Sequence, residues 1–168
     1  MKLQQLIGDC KPQQVVGNVD RDVTGIEIDS RLIKEDAVFV AMRGTQVDGH
    51  SFIGKAIELG AAVVVCERLP ESLSDDVTYL VYPNTDDVVG TLATHFFGDP
   101  SRRMHLIGVT GTNGKTTIAT VLYNMFRQFG YKCGLCSTVC NYIDGEAIPT
   151  ECTTPDPITL NRLLGQMA

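Results

Sequence analysis

A glycine-rich segment near the middle of the chain has the residue types that bind phosphate. Residues 108–117 read Gly-Val-Thr-Gly-Thr-Asn-Gly-Lys-Thr-Thr, and they follow the mainly apolar run 104–107. We expect a strand, then a glycine turn, then a helix that begins at Lys115. In that arrangement, backbone N–H groups, the positive end of the helix dipole and the Lys115 ammonium group all point at the same place. The segment therefore predicts a loop that holds the phosphates of a nucleotide, with the Thr116 hydroxyl as a ligand for Mg²⁺.

The spacing of this loop departs from the general phosphate-loop pattern. That pattern, Gly-x4-Gly-Lys-Ser/Thr, requires a glycine at position 109, where this chain has Val109. The alternative is a glycine-rich turn from strand to helix that binds no ligand. Such a turn would leave Lys115 without a role, so nucleotide binding is the interpretation that we favour.

The composition indicates a folded, acidic protein. The 168 residues suffice for one large or two small domains, and 43% hydrophobic residues provide a core. The net charge of −6 argues against a general nucleic-acid or membrane surface, so phosphate binding must be local. No apolar run approaches membrane-spanning length, and the first residues lack the apolar core of a signal peptide. We expect a cytoplasmic protein that binds neither nucleic acid nor membrane.

Three of the six cysteines are spaced like metal ligands. Cys133, Cys136 and Cys140 form a C-x2-C-x3-C cluster. No fourth cysteine or histidine lies nearby, and an alternating strand would place Cys133 and Cys136 on opposite faces. Free thiols are therefore the expectation for a cytoplasmic chain.

The order of elements predicts an α/β fold in two parts. Strands are expected at 25–29, 37–41, 61–66 and 79–81, and helices are expected to be capped by Ser51 and Asn84. A break at 99–101 divides a small N-terminal α/β domain, residues 1–100, from a second domain, residues 101–168.

The second domain is expected to open a parallel sheet of the phosphate-loop type. Its predicted elements are a strand at 104–107, a helix from Lys115, a strand at 132–139 and a helix capped by Asp156. A sheet of two strands cannot bury both faces. These residues are therefore interpreted as the beginning of a larger ATPase domain.

The chain resembles the Mur ligases, which build the peptide of bacterial cell-wall precursors. The loop at 108–117 is similar to their ATP loop, and Lys-Thr-Thr at 115–117 separates it from folylpolyglutamate synthetases, which usually have Gly-Lys-Gly-Ser. Residues 29–31 and 48–53 are similar to the UDP-sugar-binding domain of the MurE and MurF types. Residues 150–156, Thr-Glu-Cys-Thr-Thr-Pro-Asp, resemble the MurE-type segment, which usually has Asn-Thr-Thr-Pro.

The resemblance implies an ATP-dependent amide-forming ligase of peptidoglycan synthesis. Such an enzyme adds a diamino acid, meso-diaminopimelate or L-lysine, to UDP-N-acetylmuramoyl-L-alanyl-D-glutamate through an acyl phosphate, with ATP and Mg²⁺. The alternatives are a MurF-type D-alanyl-D-alanine-adding ligase and a non-catalytic nucleotide-binding module. Family members are considerably longer, so these residues alone are expected to be inactive.

The resemblance also implies roles for individual residues. Lys115 is the catalytic residue that bridges β- and γ-phosphate oxygens, and Thr116 ligates Mg²⁺. The phosphates are expected to contact Gly111, Thr112, Asn113, Gly114, Lys115, Thr116 and Thr117. The UDP-muramoyl-peptide is expected to contact Ile28, Ser30, Thr45, Gln46, Val47, Thr153 and Thr154. The histidines His50, His95 and His105 are expected to be structural.

Overall fold

The structure is a computed structural model that describes residues 1–44, 47–149 and 154–168. It divides into two compact units, Met1–Gly98 and Asp99–Ala168. The α/β class is confirmed. No helix of the described residues is both long and apolar enough to cross a membrane.

A five-stranded sheet forms the centre of the first unit. Its strands are β1 Gln14–Val16, β2 Gly25–Glu27, β3 Ala37–Val40, β4 Ala61–Cys66 and β5 Thr78–Val81. Within the sheet they lie side by side in the order β1-β5-β4-β3-β2. Strands β2 to β5 are parallel, and β1 joins β5 antiparallel. Every residue of β3, β4 and β5 is buried, as expected for parallel strands that are covered on both faces.

Three short helices accompany this sheet. They are α1 Leu3–Ile7, α2 Ile53–Glu58 and α3 Asp86–Phe96. Helix α2 packs on β4 and buries Ile53 and Ala56 in a cluster with residues of β3, β4 and β5. Two 3-10 turns, Ser30–Leu32 and Gly49–Phe52, follow β2 and precede α2. The first turn follows the end of β2 and the second lies between β3 and α2, and both contribute residues to the candidate site.

The second unit combines two helices with a small antiparallel sheet. Its elements are a 3-10 turn Pro100–Arg103, α4 Lys115–Gln128, β6 Gly134–Leu135, β7 Asn141–Ile143, β8 Glu146–Ile148 and α5 Pro157–Met167. The sheet has the order β6-β7-β8, with both pairs antiparallel. Asp144 and Gly145 join β7 to β8 with φ of 45° and 101°. Positive φ at both central residues is typical of the two-residue hairpin turn that matches strand twist.

Two expected strands of this unit differ from the structure. Residues 104–107 form no strand, and Leu106 and Ile107 are each 59% exposed. The strand expected at 132–139 is limited to Gly134–Leu135, and its neighbour is the antiparallel β7. An apolar run becomes a strand only when a neighbouring strand accepts its hydrogen bonds, and no strand of the described residues pairs with 104–107.

The helix caps also refine the expectations. The cap predicted at Ser51 is wrong, because the N-cap of α2 is Phe52. Asp48 instead caps the 3-10 turn Gly49–Phe52: its carboxylate accepts from the His50 N–H, and its carbonyl accepts from the Ser51 hydroxyl. The Asn84 side chain accepts from the Asp86 N–H at 3.0 Å, one residue away from the N-cap of α3. The cap predicted at Asp156 is confirmed, since its Oδ1 accepts from the first N–H groups of α5.

Candidate functional site

The glycine-rich loop of the second unit has a backbone that favours glycine. Gly111 has a φ of 147° and Gly114, the residue before α4, a φ of 80°. A side chain at either position would strain the backbone, so these two glycines permit the turn. The first N–H groups of α4 have no partner within the helix, and the loop residues 111–115 are exposed. The loop can therefore present N–H donors to an anion.

Lys115 folds back over this loop. Its Nζ donates to the Gly111 carbonyl at 2.6 Å and lies 3.4 Å from the Thr112 carbonyl. Because Lys115 is also the first residue of α4, its ammonium group and the helix N–H groups belong to the same turn of chain. Thr116 and Thr117 follow in the first turn of α4, the former partly buried and the latter exposed. The seven residues predicted to bind phosphate are thus contiguous across one loop and one helix start.

A cavity in the first unit collects several of the residues expected to bind substrate. Its volume is about 500 Å³. It lies near the carboxyl ends of β2 and β3, the edge at which parallel α/β sheets usually bind ligands. The lining residues are Ile28, Asp29, Ser30, Arg31, Met42, Gly44, Val47, Gly49, Phe52 and Lys55.

Only some of the predicted substrate residues lie at this cavity. Ile28, Ser30 and Val47 line it together. Thr45, Gln46 and Thr153 lie outside the described residues. Thr154 is an exposed residue of the second unit, close before α5.

The Asp29 carboxylate organises the turn that carries Ser30. It accepts from the Arg31 backbone N–H at 2.9 Å and from Arg31 Nη2 at 2.6 Å. These hydrogen bonds, led by those from the guanidinium, hold the pKa of Asp29 below its usual value. The result is a 3-10 turn in which Ser30 is 6% exposed at the wall of the cavity.

Arg43 and Asp48 are both attached to the residues that follow β4. Arg43 pairs with Asp48 in an isolated bridge, and its Nε lies 2.7 Å from Glu67 Oε2. Arg68 Nη2 donates to Asp48 Oδ2 at 3.0 Å. Glu67 and Arg68 therefore hold Arg43 and Asp48, and Asp48 directly follows the cavity residue Val47.

His50 completes this attachment. Its Nδ1 lies 2.7 Å from Asp48 Oδ1, and its Nε2 accepts from the Glu67 backbone N–H at 2.9 Å. Because Nε2 is an acceptor, the proton is on Nδ1 and the ring is neutral. The side chain is 5% exposed. His50 thus hydrogen-bonds the turn, the role expected from the sequence.

Sequence reasoning gave no role to Arg43, Glu67, Arg68 and Lys55. A signal for two of them was present, because Glu67 and Arg68 directly follow the fully apolar strand β4. Charged residues at the carboxyl end of a buried parallel strand lie at the ligand-binding edge of the sheet.

Comparison with known protein families gives a match in each of the two units. Residues 22–97 match the Mur ligase family catalytic domain, and residues 109–168 match the Mur ligase middle domain. The chain belongs to the Mur ligase family. The predicted family is thereby confirmed.

Individual Mur ligases match the whole chain. The UDP-N-acetylmuramoyl-L-alanyl-D-glutamate–2,6-diaminopimelate ligase of Phocaeicola vulgatus is 62% identical over 168 residues, which are 100% of this chain and 35% of that ligase. The chain spans about a third of the length of the relatives that it matches.

Solved Mur ligase structures share the fold. A solved UDP-N-acetylmuramoyl-L-alanyl-D-glutamate–2,6-diaminopimelate ligase aligns with a TM-score of 0.74 at 22% identity, over 100% of this chain and 33% of its own. The MurF ligase of Thermotoga maritima, solved in complex with ADP, aligns with a TM-score of 0.52 at 33% identity, over 63% of this chain and 24% of its own.

Proposed function

We propose that this chain carries the nucleotide-binding portions of an ATP-dependent ligase of peptidoglycan synthesis. The complete enzyme joins 2,6-diaminopimelate to UDP-N-acetylmuramoyl-L-alanyl-D-glutamate. The observation that carries this proposal is the ammonium group of Lys115 above a loop of left-handed glycines at the start of α4. The name of the 62% identical relative supports the choice of acceptor and of amino acid.

The loop binds the β- and γ-phosphates of ATP. The backbone N–H groups of Gly111, Thr112, Asn113 and Gly114 surround the phosphates, and Thr117 adds a donor. Lys115 leaves the loop carbonyls and bridges phosphate oxygens, because a charged oxygen is a stronger acceptor than a neutral carbonyl. The ADP in the Thermotoga maritima MurF ligase supports an adenine nucleotide as the ligand of this family.

Mg²⁺ fits the residues at the start of α4. The ion prefers oxygen ligands and usually takes only one or two from the protein, with water and phosphate oxygens as the rest. The Thr116 hydroxyl, one residue beyond Lys115, provides such an oxygen. Thr116 would hold the ion, which would supply charge neutralisation on the phosphates.

The reaction needs alignment and charge neutralisation more than covalent help from the protein. The γ-phosphoryl group passes to the free carboxylate of the D-glutamyl residue, and the amine then displaces phosphate to form the amide. Lys115 stabilises the negative charge of the phosphoryl group during its transfer. Thr153 and Thr154 hold the muramoyl-peptide near the γ-phosphate.

The cavity of the first unit binds the UDP portion of the acceptor. Ile28 and Val47 supply apolar contacts for the base, and the Ser30 hydroxyl a polar contact. Thr45 and Gln46 are proposed to contact the UDP portion as well. Because ATP and UDP-linked precursors are cytoplasmic metabolites, we place the enzyme in the cytoplasm.

Replacement of Lys115 tests the proposal. In the full-length protein, Lys115→Ala should abolish the ADP release that depends on UDP-N-acetylmuramoyl-L-alanyl-D-glutamate and diaminopimelate. Lys132→Ala is the matched control, since Lys132 is an exposed lysine of the same unit outside the loop. ADP release that survives Lys115→Ala unchanged would contradict the role of the loop.

A substrate panel tests the specificity. Wild-type protein should release ADP with diaminopimelate, and should not do so with D-alanyl-D-alanine and the UDP-muramoyl-tripeptide. The reverse preference would establish a MurF-type ligase instead. An absence of ADP release with every acceptor would favour a non-catalytic nucleotide-binding module.

A further inference from the structure

The cavity of the first unit contains a cation that the proposed function leaves without a role. Lys55 lines this cavity together with Asp29, Arg31 and the apolar side chains of Ile28 and Phe52. We propose that Lys55 binds the diphosphate of the nucleotide in this cavity and makes the site selective for nucleoside diphosphates over nucleosides. This inference rests on the proposed binding of UDP to the same cavity.

The two cations of the cavity are in different electrostatic states. Arg31 donates from Nε and Nη2 to the two carboxylate oxygens of Asp29 at 2.9 and 2.6 Å. Its charge is therefore largely neutralised within the turn. Lys55 forms no hydrogen bond or ion pair through its ammonium group with any residue that the structure describes, and attracts Asp29 only at longer range.

The position of Lys55 is held by its helix. Lys55 lies on α2 between Ile53 and Ala56, which are 2% and 0% exposed and pack into the core. These anchors keep the Lys55 backbone beside the cavity, while the long side chain remains exposed and adjustable. An ammonium group on such a stem can follow a diphosphate without a rearrangement of the backbone.

The lining of the cavity matches the two chemical parts of a nucleoside diphosphate. Ile28, Val47 and Phe52 offer apolar surface for a base, and Phe52 is 40% exposed. With Asp29 and Arg31 paired, Lys55 leaves a net positive charge in a chain whose overall charge is −6. A local cation in an acidic protein selects an anionic group that the rest of the surface would repel.

Ligand titration separates this role from a structural one. Calorimetry compares uridine, UMP and UDP with the full-length protein, in the presence of saturating ADP and Mg²⁺ so that the loop at Lys115 is occupied. Lys55→Gln should weaken UDP binding about tenfold and leave uridine binding within about twofold, because a hydrogen bond to a charged group is lost. Lys55→Arg should restore most of the affinity for UDP. The Lys-to-Gln change is nearly neutral in helix propensity, so α2 should remain intact.

Lys34→Gln is the matched control, since it removes the same charge from an exposed position of the first unit that does not line the cavity. It should leave UDP affinity unchanged. An unchanged UDP affinity in Lys55→Gln, or an equal loss for uridine and UDP, would overturn the role of Lys55. If the wild-type protein binds neither uridine nor UDP, the proposed nucleotide site itself fails. That outcome differs from a failure of Lys55 alone.

Discussion

The Nε2 of His50 accepts a 2.9 Å hydrogen bond from the backbone N–H of Glu67. This contact joins the turn before α2 to the residue that follows β4. The Nδ1–H of the same ring donates to the Asp48 carboxylate. The imidazole therefore satisfies the Glu67 donor and the Asp48 acceptor at the same time. His50 therefore connects the turn before α2, which contributes Gly49 to the cavity of the first unit, to the chain segment after β4.

Replacement of His50 should show which of its ring atoms stabilises the unit. His50→Phe should lower the free energy of unfolding by about 1–3 kcal/mol, because the Glu67 N–H loses its acceptor in a poorly hydrated place. His50→Gln should cost less, since its amide oxygen can occupy the place of Nε2. Urea denaturation followed by circular dichroism measures both. Equal losses for the two variants would contradict the hydrogen-bond explanation.

Acid should weaken the same region through Asp48. Hydrogen bonds from the His50 N–H and the His50 ring lower the pKa of Asp48 below its usual value of 3.8. A lowered pKa in the folded state stabilises the protein above the unfolded value and loses that contribution as the pH falls through the folded value. Melting temperatures measured from about pH 6 down to about pH 3 should fall less steeply in Asp48→Asn than in wild type. Asp75→Asn, which removes an exposed carboxylate, should keep the wild-type slope.

Two glycines on either side of α4 form a matched pair for a test of the glycine-rich loop. Gly114 and Gly130 flank the helix with φ of 80° and 86°, and an added Cβ would meet at most the Ile118 Cδ1 at 3.9 Å. Alanine at either position should therefore cost roughly 1–2 kcal/mol of stability from backbone strain alone. Only Gly114→Ala should also raise the KM for ATP in the full-length protein. Similar KM values for the two variants would argue against a role of the loop backbone in ATP binding.

The buried thiol of Cys66 should be inert in the folded protein. Cys66 is 0% exposed, and burial raises its pKa to about 11. Because the thiolate is the reactive form, iodoacetamide at about pH 8 should modify the exposed Cys136 in the native protein and Cys66 only after denaturation. Peptide mass spectrometry measures the order. Modification of both at the same rate under native conditions would contradict the burial of β4.

The central sheet of the first unit was predictable because its strands are apolar runs. β3 and β4 are buried at every position. A continuous apolar run of this kind can be predicted to be a strand without knowing which strands pair with it. β1 was missed, since Gln14–Val16 is short and largely exposed and becomes a strand only by pairing with the distant β5. The β7–β8 hairpin carried a recognisable signal in Asp144-Gly145, and its turn was overlooked.

The two candidate sites differ in how far local sequence determines them. The turn at 111–115 depends on neighbouring residues, so glycines at fixed spacing predict it directly, and phosphate binding there stays a prediction. The pairing of Arg43 with Glu67 depends on the register that brings the end of β4 beside a turn 24 positions earlier, which no local pattern contains. In the sequence, Lys55 cannot be told apart from any other lysine on an exposed helix face. Only its position at the cavity distinguishes it.

Lys115 has a further consequence for what can enter the glycine loop. Its 2.6 Å bond to Gly111 means that an incoming anion competes with an acceptor supplied by the protein itself. A single inorganic phosphate gains one charged acceptor in exchange for that carbonyl, whereas a polyphosphate engages the lysine and several amides together. In the ligase proposed above, inorganic phosphate should therefore inhibit more weakly than ADP.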